Sequence, residues 1–84
     1  MYFLYILKCK DGTLYTGITT DINRRVHEHN SSSKGAKYTR VRRPVALVYS
    51  KKFKNRSTSS IAEAKIKAMT RLQKQEFIKE SKNK

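Results

Sequence analysis

Two β-rich segments flanking Asp11-Gly12 constrain this sequence more than any other feature. Residues 2–9 alternate loosely and are rich in Tyr, Phe, Leu and Ile, which is typical of a strand. An Asp-Gly pair after such a segment is a strong signal for a tight turn between antiparallel strands. The sequence therefore predicts a β-hairpin at the start of the chain.

The length of the hairpin loop decides which side chains share a face, because side chains alternate along a strand. A two-residue loop would place Tyr5 and Tyr15 on opposite faces. A three-residue loop over 10–12, with Gly12 in the left-handed region, places Tyr5 opposite Gly17 and both tyrosines on one face. We predict the three-residue loop and, with it, a shared surface for the two phenols.

A helix of about ten residues is predicted directly after the hairpin, ending near Asn30. The segment 19–21 (Thr-Thr-Asp) offers an N-cap and an acidic first turn. Ile22 and Val26 are four residues apart and are expected to form the buried stripe of this helix.

Arg25 and His29 lie on an adjacent stripe of the same helix. An Arg offers a planar fork to phosphate oxygens, and a neutral His can accept or deliver a proton near pH 7. The plain alternative is a solvated charge beside an incidental imidazole. Arg24 and His27 have the same chemistry but are expected to face solvent or only to contact DNA.

The rest of the chain predicts one more strand and two more helices. The strand covers residues 45–50, and a helix follows the Ser/Thr-rich segment 57–60. Thr70 and Gln73 then form a capping box for a last helix that ends near Glu80.

These elements predict an α+β fold in the order ββαβαα, with a small three-stranded antiparallel sheet flanked by helices. A single domain is expected over residues 1–80, followed by a frayed basic tail over 81–84. The face expected to carry the main core holds Leu4, Ile6, Leu14 and Ile18.

The charge balance indicates a polyanionic partner. The 84 residues include 20 Lys and Arg against 6 Asp and Glu, for a net charge of +14. Such self-repulsion is tolerated when nucleic acid is the partner. No apolar run approaches the ~18 residues of a membrane span, and no predicted helix pairs a strong apolar face with a lysine face. Cys9 is the only cysteine, so a reducing cytoplasm is expected.

Two basic segments, 34–43 and 51–56, flank the predicted third strand. The first is too polar to be core and is predicted as a pliable loop. Nothing in either segment matches a base-reading motif, so we expect contacts with backbone phosphates. The candidate nucleic-acid-binding residues are Lys34, Lys37, Arg40, Arg42, Arg43, Lys51 and Lys52.

The scarcity of acidic residues narrows the search for a metal ligand. Asp11 is used by the turn and Asp21 by the helix start. Glu28 lies off the stripe of Arg25 and His29, and Glu76 and Glu80 lie in the last helix, which leaves Glu63 as the candidate. If Ser60 caps the second long helix, Glu63 completes a capping box. If Ser57 is the cap, Glu63 lies further inside and can serve a divalent ion that needs only one or two carboxylates. The spacing leaves both alternatives open.

Three segments together resemble the GIY-YIG nuclease superfamily over residues 2–78. They are FLYILKCKDGTLYTGITTDINRRVHEHN, KGAKYTRVRRPVALVYS and AEAKIKAMTR. The first motif stands as 3–5 (Phe-Leu-Tyr), without its glycine, and the second as 15–17 (Tyr-Thr-Gly). The chain is most similar to small stand-alone bacterial proteins of that superfamily. Those resemble in turn the catalytic subunit of the eukaryotic nuclease that cuts branched DNA.

The resemblance implies roles for five residues. Tyr5 and Tyr15 would be the motif tyrosines, one of which activates or positions the attacking water. Arg25 would stabilise the phosphate, and His29 would be the helix histidine of the family. Glu63 would bind a single divalent metal ion, Mg²⁺ or Mn²⁺. The supporting Asn that many members carry near the C-terminus has no match here, and Gln75 is a loose substitute.

The function implied is metal-dependent hydrolysis of DNA, on branched or flapped structures. The alternatives are a nucleic-acid-binding module that does not cut, or a domain that needs a protein partner for activity. A basic structural or ribosome-associated protein is a third.

Overall fold

A computed structural model describes residues 1–31 and 34–82. The strands are β1 (Tyr2–Lys8), β2 (Leu14–Thr19) and β3 (Ala46–Phe53), and the helices are α1 (Ile22–Ser31), α2 (Lys37–Arg40), α3 (Arg56–Lys67) and α4 (Arg71–Lys82). Strand β1 lies between β2 and β3 in one antiparallel sheet. The predicted α+β class and ββαβαα order are confirmed, and α2 is an additional short helix before β3. None of the helices in the described ranges is both long enough and apolar enough to cross a membrane.

The hairpin has the predicted three-residue loop. Gly12 adopts φ 84°, and its N–H donates to the carbonyl of Cys9 at 2.9 Å. Tyr5 pairs with Gly17, so Tyr5 and Tyr15 lie on one face of the sheet, as predicted.

The sheet separates two apolar clusters. Helices α3 and α4 cover the first, on the face predicted to carry the main core, and α1 covers the second. The buried members of the first cluster are Leu4, Ile6, Ile66 and Ile78, with Leu14 and Ile18 packed against them. The buried members of the second cluster are Tyr5, Leu7, Cys9 and Val45, with Tyr15 and Val26 packed against them.

Helix α1 buries a histidine rather than the predicted apolar stripe. His29 is 0% exposed, whereas Ile22 and Val26 are only half-buried. The sheet face under α1 carries two tyrosines, whose hydroxyls need polar partners when they are buried. An imidazole can hydrogen-bond a tyrosine hydroxyl and the side chains of Ile22 and Val26 cannot, so His29 is the residue that α1 buries against this face.

Strand β3 continues beyond its predicted end at Ser50 as far as Phe53, because it pairs with β1 out to Tyr2. Lys51 and Lys52 therefore lie in a strand rather than in a basic loop.

Helix α3 begins earlier than either predicted cap allowed. Asn55 is the N-cap, and its side-chain oxygen accepts from the N–H of Thr58 at 3.0 Å. Both alternatives, Ser57 and Ser60, were therefore wrong. Glu63 lies well inside the helix, so its carboxylate takes no part in capping the helix N-terminus.

The capping box at the start of α4 is confirmed. The Thr70 hydroxyl accepts from the N–H of Gln73 at 3.1 Å, and the Gln73 side chain accepts from the N–H of Thr70 at 2.9 Å. Helix α4 continues beyond its predicted end near Glu80 as far as Lys82. Residues 83–84 of the predicted tail lie outside the described residues, and the single domain over 1–80 stays a prediction.

Gly17 lies where the Tyr5 ring crosses β2. A Cβ at this position would lie 2.5 Å from the Tyr5 hydroxyl oxygen and 2.7 Å from its Cζ. A strand glycine often marks the close approach of another group, and here that group is the ring of the opposite tyrosine.

Gly17→Ala is therefore expected to lower the free energy of unfolding by about 1–3 kcal/mol, the usual cost of overpacking. In a Tyr5→Ala background the same substitution should cost much less, because the ring is gone. Urea unfolding of the four proteins in this double-mutant cycle measures the coupling. Equal costs in both backgrounds would contradict the proposed contact.

Thr16 carries a buried hydroxyl on the core face of β2. The residue is 3% exposed, and its Oγ1 has no hydrogen-bond partner within the described part of the chain. Thr19, in the same strand, instead accepts from the N–H of Asp21 at 3.2 Å.

Thr16→Val should raise the free energy of unfolding by about 1 kcal/mol, because it removes an unsatisfied polar group and keeps the shape. Thr19→Val is the matched control and should lower it, since the N–H of Asp21 loses its acceptor. Chemical unfolding compares the two, and a loss of stability in Thr16→Val would show that its hydroxyl is satisfied.

Candidate functional site

Four predicted site residues from β1, β2 and α1 lie side by side. The ring centroids of Tyr5 and Tyr15 are 6.4 Å apart. The His29 ring lies 5.8 Å from Tyr5 and 5.2 Å from Tyr15. The Arg25 guanidinium lies close to the Tyr5 hydroxyl and lowers the pKa of that phenol. The three-residue loop and the four-residue spacing on α1 together produce this cluster.

A chain of buried hydrogen bonds fixes the imidazole. The Thr39 hydroxyl donates to the carbonyl of Ala36 at 2.9 Å, so its oxygen accepts from Nδ1–H of His29 at 2.7 Å. The other nitrogen, Nε2, then accepts from the Tyr5 hydroxyl at 2.9 Å. The Ala36 N–H also points at Nδ1, which would favour the opposite tautomer, but at 3.4 Å it is the weaker contact.

Burial keeps both groups of this pair neutral. Burial, followed by the nearby charges of Arg25 and Arg43, lowers the pKa of His29 to about 4, whereas Glu28 acts in the opposite direction. Burial also raises the pKa of Tyr5, and this effect exceeds the lowering by the Arg25 guanidinium. Tyr5 therefore stays a neutral phenol near neutral pH despite its cationic neighbour, because its pKa is raised.

Arg25 is anchored on one edge of its guanidinium. Its Nη1 donates to Glu28 Oε1 at 3.1 Å and to the carbonyl of Lys34 at 2.8 Å. Both bonds use the same nitrogen, which leaves other donors of the fork for Tyr5 and for a phosphate oxygen. Arg24 and His27 are exposed, as predicted.

Glu63 lies on α3. Its charge is the smallest of the effects that act on the pKa of Tyr5, and its carboxylate pairs with Lys67 at 3.4 Å. Among residues 1–31 and 34–82, no group of three or more His, Cys, Asp or Glu side chains is placed to hold a metal ion. One half-buried carboxylate suits a divalent ion that takes its remaining ligands from water and phosphate.

Helix α2 contributes two side chains that the sequence did not indicate. Thr39 is 0% exposed, so the predicted loop over 34–43 is not wholly outside the core. Tyr38 stacks on Tyr15 with ring centroids 6.0 Å apart, and the Arg42 guanidinium lies 4.0 Å over the Tyr38 ring. A four-residue helix is too short to give a periodic signal, and the basic residues around it suggested only solvent.

Two of the predicted nucleic-acid-binding residues make contacts within the protein. Arg42 pairs with Asp11 at 3.1 Å and donates to the carbonyl of Tyr38. Arg43 donates to the carbonyls of His29 and Glu28, near the C-terminal end of α1. Both guanidiniums therefore stabilise the loops around the site.

The other predicted nucleic-acid-binding residues are exposed but divide between surfaces. Lys34, Lys37 and Arg40 belong to the segment around α2, next to the tyrosine cluster. Lys52 lies on the sheet face of the tyrosines, whereas Lys51 lies on the opposite face with the α3 cluster. A single nucleic-acid strand passing over the site cannot contact both lysines of β3 in the same way.

A family model described as the GIY-YIG catalytic domain matches residues 1–76. The chain belongs to the GIY-YIG family. Its relatives include small stand-alone bacterial UPF0213 proteins. One, from Desulfotalea psychrophila, is 55% identical over 95% of this chain and 73% of its own length. Another, from Streptococcus agalactiae, is 52% identical over 96% of this chain and 91% of its own.

Two solution NMR structures share the fold. A protein from E. faecalis is 44% identical, with a TM-score of 0.69 over 99% of this chain and 88% of that one. A UPF0213 protein from Bacillus halodurans is 42% identical, with a TM-score of 0.61 over 94% and 84%. GIY-YIG nucleases act on nucleic acid and are generally metal-dependent.

Replacing His29 tests its neutral, buried state. Its folded-state pKa of about 4 lies below its ordinary value of 6.5, so only the unfolded chain binds a proton between these values. Stability is therefore lost as pH falls from 6.5 towards 4. His29→Gln should make the urea midpoint fall less steeply in this range than in the wild type.

His27→Gln is the control, because His27 is exposed on the same helix. It should keep the steepness of the wild type. Identical pH profiles for His29→Gln and the wild type would show that His29 is protonated equally in both states.

Proposed function

We propose that this GIY-YIG protein is a metal-dependent endonuclease that hydrolyses phosphodiester bonds in DNA. The observation that supports it best is the convergence of Tyr5, Tyr15, Arg25, His29 and Glu63. They come from four elements spread over most of the chain, and they are the residues that the family resemblance singles out. Packing alone does not require an arginine and a carboxylate beside two phenols.

Arg25 binds the phosphate that is cut. Its fork is held on one side by Glu28 and the Lys34 carbonyl, so its orientation is set before substrate arrives. A guanidinium held in this way stabilises the charge that develops on the phosphate oxygens in the transition state.

The two tyrosines have different roles. Tyr5 is 1% exposed and donates to His29, so it is a neutral positioning phenol held by the chain that ends at Thr39. Tyr15 is half-buried and packs between the His29 and Tyr38 rings. Tyr15 is therefore the phenol that orients the attacking water.

Glu63 is the residue that would hold the divalent ion. When bound, such an ion polarises the phosphate and stabilises the leaving oxygen. The ion-pair partner of Glu63, Lys67, lies one turn further along α3. The exposed cations Lys37 and Arg40 extend the positive surface from the site along α2.

Replacing Glu63 by Gln tests the enzyme. Glu63→Gln should reduce cleavage of branched, nicked or flapped DNA in Mg²⁺ or Mn²⁺ by about 10²-fold or more, because the ion loses its protein ligand. Affinity for the same DNA in EDTA should stay unchanged or rise slightly, because a negative charge is removed. Gel cleavage and fluorescence anisotropy measure the two effects.

Glu76→Gln is the matched control, since Glu76 is an exposed carboxylate on α4. It should cleave like the wild type. Cleavage that persists equally in Glu63→Gln would indicate a contaminant. Salt-sensitive binding without cleavage of any substrate, with any metal, would instead support the non-catalytic module.

A further inference from the structure

A polar cleft adjoins the candidate site. It has a volume of about 450 Å³ and lies where β1 begins, β2 ends and the first turns of α1 and α3 meet. Its lining includes Tyr2, Thr20, Arg24, Arg25, Glu28 and Arg56. The sequence did not single out this cleft, because Arg56 lies more than thirty residues along the chain from Arg24 and Arg25.

Positive charge dominates the cleft. Three guanidiniums face one carboxylate, and that carboxylate, Glu28, is already paired with Arg25 at 3.1 Å. The side chains of Arg24 and Arg56 are exposed and have no hydrogen-bond or ion-pair partner among the described residues. Two unneutralised guanidiniums at the wall of one cleft are a suitable receptor for a phosphate group.

Arg25 belongs to both the cleft and the site. It lies against Tyr5 on one side and lines the cleft with Glu28 on the other. A strand whose phosphate sits at Arg25 therefore brings its neighbouring phosphate towards Arg24 and Arg56. Tyr2, which is half-buried at the cleft wall, offers a ring beside the sugar and base between them.

We propose that this cleft binds the phosphate that flanks the cut phosphate on the same DNA strand, through Arg24 and Arg56. The inference rests on the proposed function and extends it from one phosphate to two. It gives a small domain a way to set the direction of the strand across its active site. It also gives Arg24 a defined ligand, where the sequence predicted only a solvent-facing charge or a general contact with DNA.

The double substitution Arg24→Gln with Arg56→Gln tests the cleft by binding alone. Anisotropy of a labelled nicked duplex is measured in EDTA between 50 and 200 mM salt. Each lost phosphate contact should reduce the slope of log affinity against log salt by about 0.9, so the double variant, which loses one phosphate, should lose about 0.9. Arg24→Lys with Arg56→Lys keeps the charge and should restore most of the slope.

Lys65→Gln with Lys79→Gln is the matched control. It removes the same charge from exposed positions of α3 and α4 that lie outside the cleft. Its slope should stay close to that of the wild type. Equal loss of affinity and slope in the two double variants would overturn the proposal, because only the total charge would then matter.

A second measurement locates the phosphate. A single uncharged methylphosphonate is moved along the strand beside the nick, and affinity is measured at each position. The wild type should lose affinity at the position that Arg24 and Arg56 contact, and the double Gln variant should be insensitive there. A variant with the same position profile as the wild type would overturn the proposal.

Different results would overturn the proposed endonuclease activity and the proposed phosphate site in the cleft. Loss of the cleft contact in a protein that still cuts would leave the endonuclease intact and remove the second phosphate site. A protein that shows the expected binding profile but never cuts, even with metal, would retain the cleft and lose the endonuclease.

Discussion

The passage of the Tyr5 ring across the backbone of Gly17 is the contact on which the rest of the structure depends. Because Gly17 has no Cβ, the ring lies flat over β2 and its hydroxyl reaches His29 at 2.9 Å. The same register places Tyr15 beside it. A loop one residue shorter would turn Tyr15 to the α3 face, and the cluster of rings would not form.

The second apolar cluster and the candidate site are made of the same side chains. Tyr5 is part of that cluster, and both nitrogens of the buried His29 imidazole are hydrogen-bonded, one to Tyr5 and one to Thr39. A fully satisfied buried network holds its groups in one arrangement before any ligand binds. Substitutions here therefore change stability and activity together, and only paired measurements separate the two.

The net charge of +14 indicates a polyanionic partner, but it does not indicate which cations form the binding surface. Arg42 and Arg43 lie in a strongly basic segment of the sequence, yet both guanidiniums bind groups within the protein. The sequence does not single out Arg24 or Arg56 as a binding residue, yet their guanidiniums face a cleft next to the site. Whether a cation is available depends on which carbonyls and carboxylates the fold brings near it.

The sequence by itself determined the hairpin loop, the shared face of the tyrosines, the Arg25–His29 spacing and the capping box at Thr70. Each depends on neighbours within a few residues, where turn chemistry and side-chain alternation apply. Only the tertiary structure decided that α1 buries His29, because Tyr5 is 24 residues away from it and Thr39 is 10. The place of Glu63 inside α3 instead follows from a local interaction, the Asn55 cap, where the sequence analysis had considered only Ser57 and Ser60. Burial and hydrogen bonding between distant segments are properties of the packed chain, and no local pattern encodes them.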